Sequence, residues 1–172
     1  MSKNFALLRN LTTKAKNSTF YLWVLNKVML SAIPFNKPHR FTITEVKNEE
    51  VKVTAKYRKK NLNHLRGIHA CAIATIGEYC SGVLLISNLD PSEYRLIMAR
   101  IEIDYHYQAK SSITAVASLS DEEKNKNIIE PLKSKDAIFT TMEVPIHDSE
   151  NNLVATVNVK WQIKLWKSVR TK

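Results

Sequence analysis

The side chains best suited to chemistry lie in one short stretch of the sequence, from Asn63 to Glu78. Glu78 is the only charged residue between Ile68 and Ser87, a run composed mostly of Ala, Ile, Cys, Leu and Val. Burying a carboxylate without a partner is costly, because the charged group loses its hydration. A lone Glu in such a run is therefore either a structural acceptor for backbone N–H groups or a functional base or nucleophile.

The run that contains Glu78 predicts a helix over about residues 68–87, because it is too long for an ordinary strand. The run is apolar on nearly all sides, so other elements must cover it. Gly77 and Gly82 would each cost about 1 kcal/mol relative to Ala in a helix interior. Close packing of the helix against a sheet could offset that cost.

Six segments with period-two alternation predict strands that cover this helix. The expected strands are 41–46, 51–57, 94–107, 113–119, 137–147 and 153–166. Ser120 and Glu123 form a capping box that predicts a short polar helix, ending near Lys135 and kinked or shortened by Pro131. Six strands around one buried helix form an α+β layout that resembles the hotdog fold, in which a curved antiparallel sheet wraps a central helix.

The segment from Asn63 to Glu78 resembles the signature of hotdog-fold acyl-CoA thioesterases of the PaaI-like group. In that family an Asn lies six residues before the His of a Gly-x-His-Gly-Gly turn, which starts the central helix, and a carboxylate lies nine residues after that His. Asn63, Gly67, His69 and Glu78 keep these intervals. The resemblance implies that Gly67 and His69 belong to the substrate-binding turn, with His69 chiefly a hydrogen-bonding residue. By strand order the resemblance covers about residues 36–166.

The same resemblance implies thioester hydrolysis and a role for each matched residue. The first turn of a helix offers free N–H groups and a positive dipole end, so the amide of Ala70, which matches the family's oxyanion-binding Gly, is the expected donor to the carbonyl oxygen. Glu78 is expected to activate water or to attack the thioester itself. Asn63 is expected to orient the water or the thioester. Ala70 and Cys71 replace the Gly-Gly pair, so a Cβ projects where substrate approaches the backbone.

The spacing of these groups predicts a site that two chains share. Ala70 and Glu78 are eight residues apart, which is about 12 Å along an α-helix. One thioester carbonyl cannot contact both residues of one chain. We therefore expect a homodimer, or a tetramer built from such dimers, with the helix start of one subunit facing the carboxylate of the other.

The net charge of +10 is concentrated at the beginning of the chain. Residues 1–60 contain 13 Lys and Arg against three acids, whereas residues 61–172 contain 13 of each sign. This distribution argues against a nucleic-acid partner. An acyl-CoA or acyl-carrier thioester is the expected partner, and its phosphates would be attracted by four basic residues, Arg58, Lys59, Lys60 and Arg66. The histidines lack metal-ligand spacing, so we expect no metal and no cofactor beyond the substrate.

Residues 1–35 are predicted to form a basic, amphipathic helical segment ahead of a single hotdog thioesterase-like domain over residues 36–172. Its apolar stretch, Phe20 to Ile33, is shorter than the roughly 20 residues that a bilayer span needs and predicts an amphipathic helix. That helix either docks on its own domain or lets residues 1–33 contact a membrane surface. The alternative function is therefore a non-catalytic hotdog module that binds an acyl group or a membrane.

Two further predictions concern side chains outside the signature positions. Cys71 and Cys80 are expected to be small core residues, and two free thiols fit a reducing, cytoplasmic setting. Tyr105 and Tyr107 are expected to serve strand packing rather than to line a substrate site.

Overall fold

A computed structural model describes residues 2–169, with side chains from residue 6 onward. The helices are α1 (Ser2–Ala15), α2 (Thr19–Ala32), α3 (Ala70–Asn88), α4 (Asp121–Lys124) and α5 (Glu130–Leu132). The strands are β1 (Thr42–Val46), β2 (Glu50–Ala55), β3 (Tyr94–Tyr105), β4 (Ile113–Ser118), β5 (Ala137–Asp148) and β6 (Leu153–Leu165). Short 3-10 turns occupy Pro34–Asn36, Lys59–Asn61 and Trp166–Ser168.

The central helix α3 lies against the concave face of the sheet, as its apolar sequence predicts. Gly77 is required where α3 meets β6, because a Cβ there would lie 2.8 Å from Val157. At Gly82 a Cβ would lie 3.3 Å from the Trp161 ring, so both glycines allow a close helix-to-sheet approach. Among the described helices, α3 is the one long and apolar enough to cross a membrane, and most of it is buried in this core.

All six strands form one antiparallel sheet in the order β1-β2-β4-β5-β6-β3. The alternation read from β6 is confirmed, since Val157, Val159, Trp161 and Ile163 are buried toward α3. This arrangement of a curved sheet around one helix confirms the predicted α+β class.

β3 forms one edge of the sheet and is much more exposed than its sequence pattern predicts. A bulge between Met98 and Arg100 shifts its register against β6, so the alternation is broken in the middle of the strand. Ile97 is 48% exposed, whereas Ile101 and Ile103 are half-buried. An edge strand with apolar residues in solvent is a surface on which another strand can pair.

The opposite edge, β1, is closed by α2. The Asn26 side chain donates from Nδ2 to the Ile43 carbonyl at 2.9 Å and accepts from the Ile43 N–H at 2.8 Å. These two bonds occupy backbone groups that an added strand would use. Leu25 and Met29 of α2 are buried in the same core as β1, and α1 adds Leu11 to that core. The inner face of the predicted helix thus docks on its own domain, and the helical segment predicted over residues 1–35 consists of two helices, α1 and α2.

The insertion between β4 and β5 begins with the predicted capping box. Ser120 Oγ accepts from the Glu123 N–H at 3.1 Å, and Glu123 Oε2 accepts from the Ser120 N–H at 3.0 Å. The segment Asn125–Ile129 then widens into a π-helix, and α5 ends at Leu132. The irregular turn lies just before Pro131, which has no N–H to continue the helical bonding.

Candidate functional site

The start of α3 carries an amide with no intramolecular acceptor. His69 is the N-cap residue, and its Nδ1 accepts from the Cys71 N–H at 3.0 Å. The His69 carbonyl accepts from the Ala72 and Ile73 N–H groups at 2.8 and 3.1 Å. Within residues 2–169 nothing accepts from the Ala70 N–H, which leaves one orphan donor at the positive end of the helix dipole.

The loop before α3 is held by the predicted residue Asn63, though not in the expected way. Asn63 Oδ1 accepts from the Leu65 N–H at 2.9 Å and from the Gly67 N–H at 3.0 Å. Arg66 adopts a left-handed conformation, φ 59°, within this turn. The side-chain oxygen of Asn63 is therefore occupied by loop N–H groups. Within this side chain, the Nδ2 group is left to orient a ligand.

Gly67 serves packing in this loop, because a Cβ there would lie 2.8 Å from the Gln108 side chain. The Ile68 N–H donates to the Ala109 carbonyl at 2.9 Å. This bond joins the segment that contains Gly67 to the segment that contains Gln108. The fixed loop in turn fixes the position of the α3 start.

A pocket of about 320 Å³ opens at the α3 start. Its lining includes Asn63, Ala70, Tyr105, His106 and Tyr107. The prediction that the two tyrosines serve strand packing is wrong, since they are 52% and 54% exposed. β3 ends at Tyr105 on the sheet edge, so no further strand covers them. The Tyr105 hydroxyl donates to the Ala70 carbonyl at 3.3 Å, which ties β3 to the helix start.

Glu78 lies two turns farther along α3, at a separate cavity of about 200 Å³. The cavity is mostly apolar and is lined by Met29, Ile33, Glu78, Tyr79, Gly82, Val83, Ile86, Leu96 and Trp161. Burial raises the pKa of Glu78 above the usual value for a glutamate. No described residue donates a hydrogen bond to this carboxylate, so the structural alternative, a Glu satisfied by backbone groups, does not apply. Trp161 is fixed at the cavity wall because its Nε1 donates to Ser81 Oγ at 3.0 Å.

The two parts of the predicted site are separate within one chain. The pocket with Asn63 and Ala70 shares no lining residue with the cavity that holds Glu78. This separation agrees with the distance argued from the sequence. Sequence reading missed the aromatic lining of both parts, because Tyr105 and Trp161 come from strands remote in sequence.

The predicted basic residues stand on the loops that lead to the α3 start. Lys59 and Lys60 are exposed on the turn Lys59–Asn61, Arg58 is half-buried, and Arg66 is exposed. None of these four cations is in an ion pair with a described residue. Such a set is available to an anionic ligand.

Fully buried Asn61 connects this basic turn to the helix cap. Its carbonyl accepts from the His69 N–H at 2.8 Å. Its Nδ2 donates to the carbonyls of Lys56 at 2.9 Å and His39 at 3.2 Å. The motif match could not have identified Asn61, because its contacts join segments that lie apart in sequence.

The two cysteines have different environments. Cys80 is buried as predicted, and burial raises the pKa of its thiol to about 12. Cys71 is exposed in the first turn of α3, so the prediction of a core residue is wrong there. The described residues contain no cluster of three or more His, Cys, Asp or Glu side chains suited to a metal ion.

Solved structures with the same architecture define the class as the hotdog fold. A Pseudomonas aeruginosa protein of unknown function, described as a probable thioesterase, aligns with TM-score 0.74 and 19% identity over 93% of this chain and 95% of that one. The thioesterase HI1161 of Haemophilus influenzae aligns with TM-score 0.67 and 14% identity over 88% and 95% of the two chains. A mutant thioesterase from Staphylococcus aureus gives TM-score 0.62 and 14% identity over 77% and 99%.

Residues 22–163 match the family described as a domain of unknown function, DUF4442, and the chain belongs to that family. No curated protein matches the sequence. The family match begins within α2, so it includes most of the helix that closes the β1 edge.

Proposed function

We propose that this protein hydrolyses acyl-CoA or acyl-carrier thioesters. The observation that carries the proposal is Glu78, a desolvated carboxylate at the mouth of an apolar cavity, to which no described residue donates a hydrogen bond. Its raised pKa makes it a stronger base than an exposed carboxylate, and the cavity beside it suits an aliphatic acyl group. The thioesterase names of the structural neighbours support the same reaction class.

The helix start supplies the second requirement of the reaction. The Ala70 N–H donates to the carbonyl oxygen as negative charge develops there. Glu78 either takes a proton from water, whose oxygen attacks the carbonyl carbon, or attacks that carbon itself to form an anhydride that water then hydrolyses. In both routes the carbon–sulfur bond breaks and the thiol leaves, with no metal or cofactor required.

Within one chain, Ala70 and Glu78 lie too far apart to contact the same thioester. The proposed site is therefore formed across a homodimer. β3 is the edge on which a second copy would pair, since it is 12 residues long and exposes Ile97 and Met98. A two-fold dimer contains two such sites, each with the helix start of one subunit and the Glu78 of the other. A tetramer would be assembled from these dimers.

The ligand head group is assigned to the basic loops. The phosphates of CoA or of a phosphopantetheine carrier would contact Arg58, Lys59, Lys60 and Arg66, whose charges form no ion pair with a described residue. His69 holds the turn between these loops and α3, and Gly67 lets the turn pack closely. Two free thiols support a cytoplasmic location.

The test is a hydrolysis screen with acyl-CoA substrates of short, medium and long chains and with acyl carriers, run on wild type and on Glu78→Gln. We expect thiol release by wild type and a loss of about 10²–10⁴-fold in Glu78→Gln. Glu143→Gln, at an exposed position of β5, is the matched control and should keep wild-type activity. Wild-type inactivity on every substrate, or an active Glu78→Gln, would contradict the proposal.

A second candidate function follows from Ala70 and Cys71, which stand at the positions of the Gly-Gly pair in the signature that this segment resembles. The Ala70 Cβ narrows the approach to its own N–H. If that approach is closed, the protein binds acyl thioesters without hydrolysing them. Tight binding of an acyl-CoA with no turnover would identify this non-catalytic module.

A further inference from the structure

The outward face of α2 carries two exposed aromatic side chains and a lysine. Phe20, Trp23 and Lys27 follow the spacing of a single helix face, opposite the buried Leu25 and Met29. Phe20 is 63% exposed and Trp23 is 58% exposed. Their rings stack with centroids 6.3 Å apart, so they form one contiguous apolar surface in solvent.

Lysines frame this surface. Lys27 Nζ lies 5.4 Å from the centroid of the Trp23 ring, and Lys14 Nζ of α1 lies 4.8 Å from that of the neighbouring Tyr21. Neither ammonium group forms an ion pair with a described residue. The face therefore combines aromatic rings with cations whose charge no described acid neutralises.

The sequence around this face is basic and contains no acidic residue. Residues 1–44 contain seven Lys and Arg and no Asp or Glu. Arg9 is the member of this set that pairs with an acid in the described structure, Asp90. A surface of this kind is complementary to a densely anionic partner.

We propose that the outward face of α2, formed by Phe20, Trp23 and Lys27 and flanked by Lys14, docks on an anionic membrane surface. Trp and Phe partition to the headgroup region of a bilayer, and lysines beside them attract anionic headgroups. This inference stands apart from thioester hydrolysis. Met29 of α2 and Ile33, which follows the helix, line the Glu78 cavity, so the docked helix would lie between the bilayer and that cavity.

Point variants in the full chain test this proposal, because deleting α2 would remove Leu25 and Met29 from the core. Cosedimentation is measured with vesicles of phosphatidylcholine alone and with vesicles that also contain phosphatidylglycerol. We expect binding to the anionic vesicles at low salt and release as salt is raised. The double variant Phe20→Ser/Trp23→Ser should bind about tenfold or more weakly. Lys14→Glu/Lys27→Glu should lose at least as much, since two charges are reversed.

Phe139→Ser is the matched control. Phe139 is 55% exposed on β5, with Lys160 Nζ 5.3 Å from its ring centroid, and so repeats the exposed pair of Trp23 and Lys27 outside α2. It should bind vesicles like wild type.

Equal binding to neutral vesicles, insensitivity to salt, or wild-type binding by either double variant would overturn the proposal. A changed oligomeric state of Phe20→Ser/Trp23→Ser in light scattering, with vesicle binding intact, would assign the face to a second copy of this chain instead.

Discussion

The start and the middle of α3 place the two proposed reactive groups in opposite environments. At the start, Ala70 is exposed in a pocket with polar and aromatic lining, and its N–H is positioned by the His69 cap. In the middle, Glu78 lies at an apolar cavity, where loss of water raises its pKa. No described residue donates a hydrogen bond that would orient its carboxylate. Local backbone geometry thus orients the Ala70 N–H, the proposed donor. Packing between distant segments raises the pKa of Glu78, the proposed base.

The shared site requires a second chain to bring the two groups together. Ile97→Asp/Met98→Asp places charges on the exposed β3 edge, where a paired copy would bury them. We expect monomers in light scattering and a fall in hydrolysis of about 1000-fold or more, because each half-site of a monomer keeps only one of the two groups. Leu7→Asp, at a similarly exposed position of α1, should leave both measurements unchanged. An active monomer would rule out the shared site.

Ala70→Pro removes the donor at the helix start while disturbing little else. Pro is favoured at the first helical position, and the preceding His69 already has the extended conformation, φ −67° and ψ 138°, that a following Pro requires. We expect kcat to fall about 10²–10³-fold with an unchanged melting temperature. Ala70→Ser keeps the N–H and should stay within a few fold of wild type. Full activity in Ala70→Pro would exclude this amide as the donor.

Mixing the two defective proteins tests whether the two groups of one site come from different chains. In a heterodimer of Glu78→Gln and Ala70→Pro, one site contains both defects and the other contains neither. With random exchange of subunits, about a quarter of wild-type activity should return, although each parent is nearly inactive. If both groups acted within one chain, every site would keep a defect and mixing would restore nothing.

Burial of the charged Glu78 side chain should lower the stability of the folded protein slightly at neutral pH. Burial raises the pKa of Glu78 in the folded state, so the protonated form is favoured there. Its contribution to stability is present below the usual Glu pKa of about 4.3 and is lost as pH rises through the folded pKa. At neutral pH, Glu78→Gln should therefore melt a few degrees above wild type, with the difference vanishing in acid.

The parts of the molecule that depend on local pattern could be predicted from the sequence. The unbroken alternation of β6 indicates a buried face, and Ser120 with Glu123 indicates a helix start, because both signals arise within a few neighbouring residues. The spacing from Asn63 to Glu78 likewise located the candidate site. The separation of Ala70 from Glu78 needed only the rise of a helix.

What could not be predicted depends on contacts between distant segments. The bulge after Met98 and the edge position of β3 expose residues whose alternation suggested burial. Cys71 and Tyr105 are exposed because nothing in the described chain covers the α3 start, a property that no local pattern records. Asn26 lies in an apolar stretch, and its pairing with Ile43 appears only once α2 and β1 are placed side by side.

The Asn26 contact also limits how far the sheet can grow. A six-stranded sheet with two open edges could add copies without end, as a fibre does. Here the Asn26 side-chain amide occupies the Ile43 backbone groups at the β1 edge, so β3 is the edge of the described sheet that stays open to the proposed second copy. When two β3 edges pair about a two-fold axis, no free edge remains, and the assembly closes as a finite particle. Losing that amide would free the Ile43 N–H and carbonyl and so reopen part of the β1 edge to pairing.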